Sequence, residues 1–402
     1  MRLGPDGFFQ LTYCTNIHPS NGWNSVLANL RRYGLPLKTR FAPDVPFGIG
    51  LRLSGEESRE LLEGTNLPDF KSFLDEHGLY VFTLNGFPYG PFHQQPVKAE
   101  VHAPDWRDEE RVRYTLRLVE ILATLLPAEM DGGISTSPLS YGAWIDQNDP
   151  PTWDLLVKNV VRVAAAIAQV RQDRGKLIHL DIEPEPDGLL GTCAALTDFY
   201  ETRLLPLGAP LLAEELGIPL AEAHACLLDH IRVCFDACHV AVGYEDPSQV
   251  LDRFAQVGIR VGKVQVSSAV KVLLPDDHHV RRETSTSLAA FAESTYLHQV
   301  VQRNRDGSFV HFPDLPDALP SISDPDAAEW RIHFHVPVFV QRYGTFASTQ
   351  DDLRSVLALL RERRFTNHLE IETYTWDVLP AALKMDLLDS IGREYAWTLD
   401  VF

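Results

Sequence analysis

Short β-rich segments alternate with helical segments along almost the whole chain, and this alternation restricts the fold more than any other feature of the sequence. Repeated strand–helix–strand units build a parallel sheet, because each helix returns the chain to the same edge. Eight candidate strands, residues 9–16, 47–54, 79–85, 133–137, 176–183, 231–236, 259–267 and 368–374, can be counted. They predict an α/β protein in which residues 1–402 form one closed (β/α)8 barrel.

The segments between these strands have the spacing expected of helices around a barrel. Segment 108–126 opens with acidic residues and carries apolar residues at helical intervals, and segment 151–172 begins with proline, which suits a first helical turn. Segment 190–228 is long enough for two helices. We expect its break near Gly208.

The repeat is interrupted once, at about residues 271–345, between the seventh and eighth candidate strands. Residues 300–310 predict a hairpin around Asp306 and Gly307, and residues 331–339 are also strand-like, although Pro337 disfavours a central position in a sheet. We interpret the segment as an insertion after strand seven that forms a lid or side wall. The alternative is that it supplies one of the eight barrel strands.

The composition is that of a globular protein with an acidic balance. The chain is 45% hydrophobic with a formal net charge of -19 and lacks the clustered Lys and Arg that phosphate backbones require, so we expect no nucleic-acid partner. No apolar run approaches the ~20 residues of a membrane span, and the first residues carry no signal core. We therefore expect a cytoplasmic protein, monomeric or dimeric, whose five irregularly spaced cysteines are reduced thiols.

Acidic side chains stand at the ends of the fifth and eighth candidate strands, on the face opposite the apolar residues. In the fifth strand His179, Asp181 and Glu183 alternate with apolar residues, and in the eighth Glu370 and Glu372 do the same. Because helices cover the outside of a barrel, the polar face points inward. Glu183 and Glu372 then lie at the C-terminal mouth, where TIM-barrel chemistry is located.

The sixth and seventh candidate strands add further polar ends. The sixth ends in the D-x-x-H pattern of Asp236 and His239, and the seventh carries Gln265 on its polar face. Buried carboxylates cost several kcal/mol each unless a positive charge neutralises them, so a divalent cation held by Glu183, Asp236, Gln265 and Glu372 is predicted. Oxygen ligands favour Mn²⁺ or Mg²⁺, and His239 as an optional ligand leaves Zn²⁺ or Co²⁺ open. Pairing of these groups with arginines from elsewhere in the barrel is the alternative.

Several other polar residues are candidate substrate contacts. They are His18, Asn85, His179, His239, His333 and His335. His333 and His335 are two positions apart, so on a strand they would share a face and could cover a substrate. A structural role, bonded to backbone or solvent, is the competing interpretation for each histidine.

These strand ends resemble those of the xylose-isomerase-like TIM barrels, which include hydroxypyruvate isomerases, inosose dehydratases and ketose 3-epimerases. The resemblance implies one divalent metal bound by Glu183, Asp236, Gln265 and Glu372, with His239 matching the histidine of D-x-x-H. Glutamine at position 265 is similar to the hydroxypyruvate isomerase and inosose dehydratase branch. The insertion with His333 and His335 departs from the simple isomerases.

Three motifs are more narrowly similar to the EboE-type metabolite-traffic proteins. They are LTYCTNIHP at 11–19, HLDIEPEP at 179–186 and EIETYTW at 370–376. This resemblance covers nearly the whole chain and implies a role in a secondary-metabolite precursor pathway, with a cyclitol or related polyol as the small molecule.

Three functions follow as hypotheses. The first is a metal-dependent isomerase, epimerase or dehydratase of a keto-sugar or cyclitol, in which Glu183 and Glu372 move a proton next to a metal-bound carbonyl. The second is a non-catalytic carrier of such a metabolite on the same barrel. The third is a metal-dependent hydrolase of the endonuclease IV type, which the acidic charge disfavours.

Overall fold

A ring of eight parallel strands forms the centre of the molecule. The computed structural model describes residues 1–4, 6–93, 96–379 and 384–402. The eight strands are Phe9–Tyr13, Phe47–Arg52, Leu79–Asn85, Gly132–Thr136, Ile178–Ile182, Ile231–Asp236, Val261–Val266 and His368–Ile371. From the second strand onward each strand pairs in parallel with the next, and the eighth pairs with the first. A parallel bridge between Cys14 and Gly50 joins the first strand to the second and closes a TIM barrel.

The helices surround this ring. They are Trp23–Asn29, Leu35–Phe41, Gly55–Leu61, Asn66–His77, Glu109–Leu125, Pro150–Arg174, Cys193–Phe199, Ala209–Leu216, Leu220–His230, Ala237–Val242, Pro247–Val257, His278–Leu288, Leu315–Ala318, Gln350–Arg363 and Leu387–Val401. Local chemistry sets their ends. The Asp108 side chain accepts a hydrogen bond from the Glu110 amide and caps one helix, while Gly175, at φ +66°, ends the longest one.

The helical segment after the fifth strand breaks at a different place from the one predicted. The chain continues through Gly208 because residues Tyr200–Gly208 form a π-helical stretch that contains Pro206. A π-helix adds residues to the turn, and it can thus include a proline that lacks an amide donor. The break falls instead at Gly217, whose φ of +65° ends the helix. In the described residues no single helix has the length and apolarity to cross a membrane, and one pair bent by 108°, Cys193–Leu216 with Leu220–His230, meets those criteria on length and composition alone.

A second sheet lies between the seventh and eighth barrel strands. In spatial order its strands are Phe309–Phe312, Val300–Asn304, Ala327–Ile332, Val270–Leu273, Phe346–Ser348 and Arg342–Tyr343, all antiparallel. Several hydrogen bonds connect it to the top of the barrel, including those from the Val336 amide to the Ser268 carbonyl over 2.8 Å and from the Thr349 amide to the Ala269 carbonyl over 2.9 Å.

The segment predicted as a strand at 331–339 is only partly extended in this sheet. The strand ends at Ile332, and the following residues leave the sheet so that Val336 can bond to the barrel. His333 and His335 therefore lie on an irregular segment rather than on a strand. This irregular segment directs both histidines toward the mouth of the barrel.

Candidate functional site

A cavity opens at the C-terminal ends of the barrel strands, beneath the second sheet. It is partly open to solvent, and its empty space, the solvent-filled mouth included, is about 570 Å³. The lining combines carboxylates and histidines with an apolar wall, and consists of Asn16, Asn85, Phe87, Pro88, Phe92, Val97, Lys98, Val101, Glu183, Glu185, His239, Tyr296, Leu297, His333, His335, Glu372 and Tyr374. Strand ends of different barrel units thus contribute to one polar pocket, which is the position of catalytic sites in this fold.

Three carboxylates, which we call the carboxylate cluster, converge in this cavity: Glu183, Asp236 and Glu372. One oxygen of each lies within 4.8 Å of one oxygen of the others, and all three side chains are buried. Asp236 ends the sixth strand, and the two glutamates follow the fifth and eighth strands. The arrangement is suited to a divalent cation with oxygen ligands.

Asp236 is held by one of its two oxygens. Oδ1 accepts from the Ser267 hydroxyl over 2.7 Å and from the His239 amide over 3.0 Å. Oδ2 is buried and has no hydrogen-bond partner among the described residues. A buried carboxylate oxygen without a donor is destabilising by itself, so Oδ2 fits the requirement for a cation ligand.

Glu372 is oriented by two side-chain amides, one from the end of the neighbouring first strand and one from the end of the third strand. The Asn16 Nδ2 donates to Glu372 Oε1 over 2.7 Å, and the Asn85 Nδ2 donates to the same atom over 3.0 Å. Both donors use Oε1, which leaves Oε2 for another partner. Asn85, a predicted substrate contact, therefore lines the cavity and also fixes a carboxylate.

Gln265 lies in the wall of the barrel between the two acidic strands. It pairs with Asp236 on one side and with Glu370 on the other. It is fully buried, and within the described residues neither Oε1 nor Nε2 has a hydrogen-bond partner. An amide buried without partners is costly, and binding of a cation through Oε1 would remove part of that cost. Two members of the predicted ligand set, Asp236 through Oδ2 and Gln265, thus have buried polar atoms without hydrogen-bond partners among the described residues, which suits metal binding.

The three carboxylates of the cluster carry charges of the same sign when ionised, and they repel one another. Burial raises the pKa of Glu183 well above its usual range, and the nearby Asp236 charge adds to the rise. Burial likewise raises the pKa of Glu372, with Glu183 as the next cause. Burial also acts to raise the pKa of Asp236, but His239 and His335 outweigh it and lower that pKa. A bound cation would relieve this repulsion by favouring the ionised glutamates.

One positive charge is already present inside the barrel. Lys263, on the seventh strand, donates its ammonium to Glu370 and also bonds Thr83 Oγ1 over 3.3 Å. Burial lowers the pKa of Lys263, but the Glu370 charge overcomes this and raises it above its ordinary value. Gly50 makes room for the acid, because a Cβ at that position would lie 1.9 Å from Glu370 Oε1. The lysine is paired with Glu370, and its charge offsets the carboxylate cluster only in part.

Three histidines border the cluster from the side of the second sheet. Each bonds an oxygen through Nδ1: His239 to the Pro184 carbonyl over 2.9 Å, His333 to Gln299 Oε1 over 2.7 Å and His335 to the Glu372 carbonyl over 2.9 Å. Burial lowers the pKa of His335 to about 4, and burial also lowers the pKa of His333 well below its ordinary value. Both rings are therefore neutral at pH 7 and able to bind a metal.

Two predicted substrate contacts lie away from the cavity. His18 bonds the Tyr13 hydroxyl over 3.0 Å, stacks on Tyr33 and lines a separate small pocket. His179 is the second residue of its strand, where it bonds Asp181 over 2.6 Å near the lower end of the barrel. Period-two alternation gave the correct face for His179 but not its depth in the barrel.

Among the polar residues of the cavity, sequence patterns missed Asn16, Glu185, Lys98 and Tyr296. Asn16 follows the first strand and bonds Glu372, while Glu185, two residues after Glu183, is buried with its Oε2 unpartnered among the described residues. Lys98 begins the short 3-10 helix Lys98–His102, and Tyr296 lies in a loop. The second acid of the EPEP motif was a usable signal for Glu185, but no periodicity marks loop residues.

No family model matches the chain, and no curated protein matches it either. Solved structures match over most of its length. The zinc-bound IOLI protein is 13% identical over 98% of this chain and 97% of that chain, with a TM-score of 0.46. A D-allulose 3-epimerase from Methylomonas sp., with bound D-allulose, is 10% identical over 98% and 97%, with a TM-score of 0.47. The 3-keto-D-glucoside 4-epimerase YcjR from E. coli is 13% identical over 89% and 93%, with a TM-score of 0.39. These values describe a distant likeness, so the site has to be judged by its own geometry.

Proposed function

We propose that the chain is a divalent-metal-dependent isomerase, epimerase or dehydratase of a small keto-sugar or cyclitol-like metabolite. The observation that carries the proposal is the convergence of Glu183, Asp236 and Glu372 within 4.8 Å at the mouth of the barrel, with Asp236 Oδ2 buried and unpartnered among the described residues. Together with Gln265, these residues would hold the cation, with Mn²⁺ or Mg²⁺ favoured and Zn²⁺ or Co²⁺ as alternatives.

A cation at this place would polarise a substrate carbonyl and stabilise the negative charge that develops when the neighbouring carbon loses its proton. The residues around it would move that proton. Glu183 and Glu372 come from strands on opposite sides of Asp236, so a carboxylate can approach a bound substrate from either side. Glu372 is the better positioned of the two, because Asn16 and Asn85 fix its Oε1 and leave Oε2 available.

The walls of the cavity fit a small polyol. Glu185, His239, His333 and His335 offer hydrogen-bonding groups on one side, and Phe87, Phe92, Val97, Val101 and Leu297 cover the other. The apolar side excludes water from the reacting carbon, and the polar side orients hydroxyl groups. Substrate contacts are thus assigned to Asn85, His239, His333 and His335.

The resemblance to EboE-type proteins gives the proposal a metabolic context, a secondary-metabolite precursor pathway. It also supports the second candidate, a metabolite carrier without turnover on the same barrel. The two candidates share the cavity and the cation and differ only in whether a carbon–hydrogen bond is broken.

Two measurements test the proposal in order. Elemental analysis of reconstituted protein should find a bound divalent ion that is lost from the carboxylate cluster in Glu183→Gln and Glu372→Gln. Incubation of the metal-loaded protein in D₂O with a panel of keto-polyols should then place deuterium on the carbon next to the carbonyl, detected by NMR. Protein that binds no divalent ion contradicts the main proposal, whereas bound metal without exchange favours the carrier.

A further inference from the structure

A second group of potential ligands shares Asp236 with the carboxylate cluster. Asp236, His239 and His335 each offer an atom within 4.8 Å of the others, and all three are buried. Asp236 Oδ2 lies 3.8 Å from His239 Nε2 and 3.9 Å from His335 Nε2. Two ligands of a tetrahedral zinc ion, with bonds of about 2.05 Å, stand about 3.3 Å apart. The two distances from Oδ2 are about 0.5 Å longer than that spacing, and all three atoms lie within 4.8 Å of one another.

The hydrogen bonds of His239 and His335 fix which nitrogen faces the shared aspartate. Each ring bonds a backbone carbonyl through Nδ1, that of Pro184 for His239 and that of Glu372 for His335. A carbonyl only accepts, so Nδ1 carries the hydrogen and Nε2 is the nitrogen through which a metal would be bound. In His335 that Nε2 is buried and has no partner among the described residues. An Nδ1–H bonded to an oxygen is the usual second partner of a metal-binding histidine.

His333 lies next to these two histidines and has the same orientation of its ring nitrogens. Its Nδ1 bonds Gln299 Oε1, and Gln299 Nε2 donates to the Pro186 carbonyl over 3.0 Å, which fixes the direction of the amide. His333 Nε2 is therefore the nitrogen left for a ligand, and it lies 3.1 Å from His239 Nε2. A cation next to both nitrogens could bind His333 as well as His239.

The charge balance of the cavity favours a second ion as well. When ionised, Glu183, Glu185, Asp236 and Glu372 carry four negative charges in one buried region, and one divalent ion compensates half of them. Among the described residues, Lys263 is paired with Glu370, and Lys98, at the rim, is paired with Asp314. A second divalent ion would bring the four carboxylates to neutrality.

We propose that Asp236, His239 and His335 hold a second divalent cation, with His333 as a fourth ligand, beside the ion of the carboxylate cluster. We call this set the histidine site. Three imidazoles and one carboxylate suit Zn²⁺ or Co²⁺ better than Mg²⁺. The histidine site shares Asp236 with the carboxylate cluster and uses three histidines proposed above as substrate contacts, which would then meet a substrate through the ion. It rests on the same cavity as the proposed function, but it predicts a number of ions and not a substrate.

The test counts ions per chain. The full chain would be stripped with a chelator, reconstituted with Zn²⁺ or Co²⁺, desalted and analysed for metal and protein. We expect about two ions per wild-type chain and about one in His239→Asn and in His335→Asn. Asparagine keeps an amide donor near the position of Nδ1 and removes the Nε2 ligand, so the bond to the backbone carbonyl is retained. Glu183→Gln should also retain about one ion, the one in the histidine site.

Cobalt distinguishes the two sites. The visible absorption of four-coordinate Co²⁺ with nitrogen ligands should persist in Glu183→Gln and disappear in His239→Asn and His335→Asn. His230→Asn is the matched control, because His230 is a buried histidine whose Nδ1 bonds the Ile178 carbonyl over 2.7 Å, far from the cavity. It should keep both ions and the absorption.

The outcomes separate this inference from the proposed function. A single ion, lost in Glu183→Gln and unaffected by the histidine substitutions, overturns the histidine site and leaves the proposed function standing. A single ion lost in all three variants means one mixed site and also overturns it. Two ions without deuterium exchange support the histidine site and contradict the reaction. Circular dichroism verifies that each variant is folded, and the two histidine variants provide independent removals of the same site.

Discussion

Asn85 donates its side-chain amide to Glu372 Oε1 over 3.0 Å, from the end of the third barrel strand to the residue just beyond the eighth. The bond crosses the mouth of the barrel and holds a carboxylate of the cluster in one orientation. Because Asn85 also lines the cavity, the same side chain serves both the metal ligand and a bound molecule.

Asn85→Ala is expected to weaken cation binding by about 10–100-fold, since outer partners of metal ligands have effects of that size. Asn16 still bonds Glu372 in this variant, so the site should be loosened rather than lost. Isothermal titration of chelator-treated protein with Mn²⁺ measures the change. Asn148→Ala, an exposed asparagine in a loop, is the control and should bind as the wild type does. Equal affinities in both variants would show that the amide does not support the site.

Gly50→Ala should destabilise the barrel, because the new Cβ would lie 1.9 Å from Glu370 Oε1 and 2.8 Å from the Tyr13 carbonyl. The backbone carbonyl cannot move away easily, so we expect a loss of about 3 kcal/mol in the free energy of unfolding, at the upper end for overpacked cores. Urea denaturation provides the value. Gly90→Ala meets no atom within 4 Å and has no left-handed φ, so it should change stability by about 0.5 kcal/mol at most.

Lys263→Met should cost about 3–5 kcal/mol of stability, because it leaves the Glu370 charge buried without its partner. Replacing both residues, as Lys263→Met with Glu370→Gln, removes the charge as well and should recover a large part of that loss. Chemical unfolding of the two single variants and the double variant forms a complete cycle. Additive losses would mean that the two side chains do not interact.

Glu394 gives the stability of the fold a dependence on pH. Burial raises the pKa of this carboxyl from 4.5 to about 8, against the lowering effect of the Thr373 hydroxyl bond. The raised pKa means that the folded state holds a proton that the unfolded state releases near pH 4.5. The contribution is complete below that pH and is lost as pH rises toward 8, by about 1.4 kcal/mol per unit.

Glu394→Gln should therefore flatten the pH dependence between pH 5 and 9 and be more stable than the wild type at pH 9. The amide oxygen can keep the bond from Thr373, so little is lost at low pH. Thermal unfolding at several pH values measures the effect. Asp389→Asn, an exposed acid on the same helix, should leave the profile unchanged. A profile for Glu394→Gln that matches the wild type contradicts the assignment.

The barrel strands were predictable because each is a short apolar run whose polar residues fall on alternate positions. The third and sixth strands have the predicted bounds, Leu79–Asn85 and Ile231–Asp236. Others end earlier than predicted, as at Tyr13 and Ile371. The polar residues that extended the pattern, Asn16 and Glu372, leave the sheet and enter the cavity instead. Side-chain alternation alone does not distinguish the last residue of a strand from the first residue of a site.

Side-chain contacts between different strands could not be predicted from the sequence of any single segment. Lys263 stands on the polar face of the seventh strand, and only the pairing of the seventh strand with the eighth brings it to Glu370. In the same way, His333 and His335 reach the cavity because the irregular segment after Ile332 folds back over the barrel. The sequence of each segment predicted which residue types contribute to the site. Which side chains contact each other depends on the register of neighbouring strands and on the path of the insertion.

The second sheet supplies histidines to a cavity whose carboxylates belong to the barrel, and this division has a mechanical consequence. Any ion or metabolite that bonds Asp236 and His335 together adds one more link between the barrel and the insertion, which already share an apolar core and hydrogen bonds such as Val336 to Ser268. Ligand binding adds its free energy to every opening motion that separates them. Occupancy of the cavity should thus be visible far from it, as slower proteolysis and slower amide exchange throughout residues 270–348.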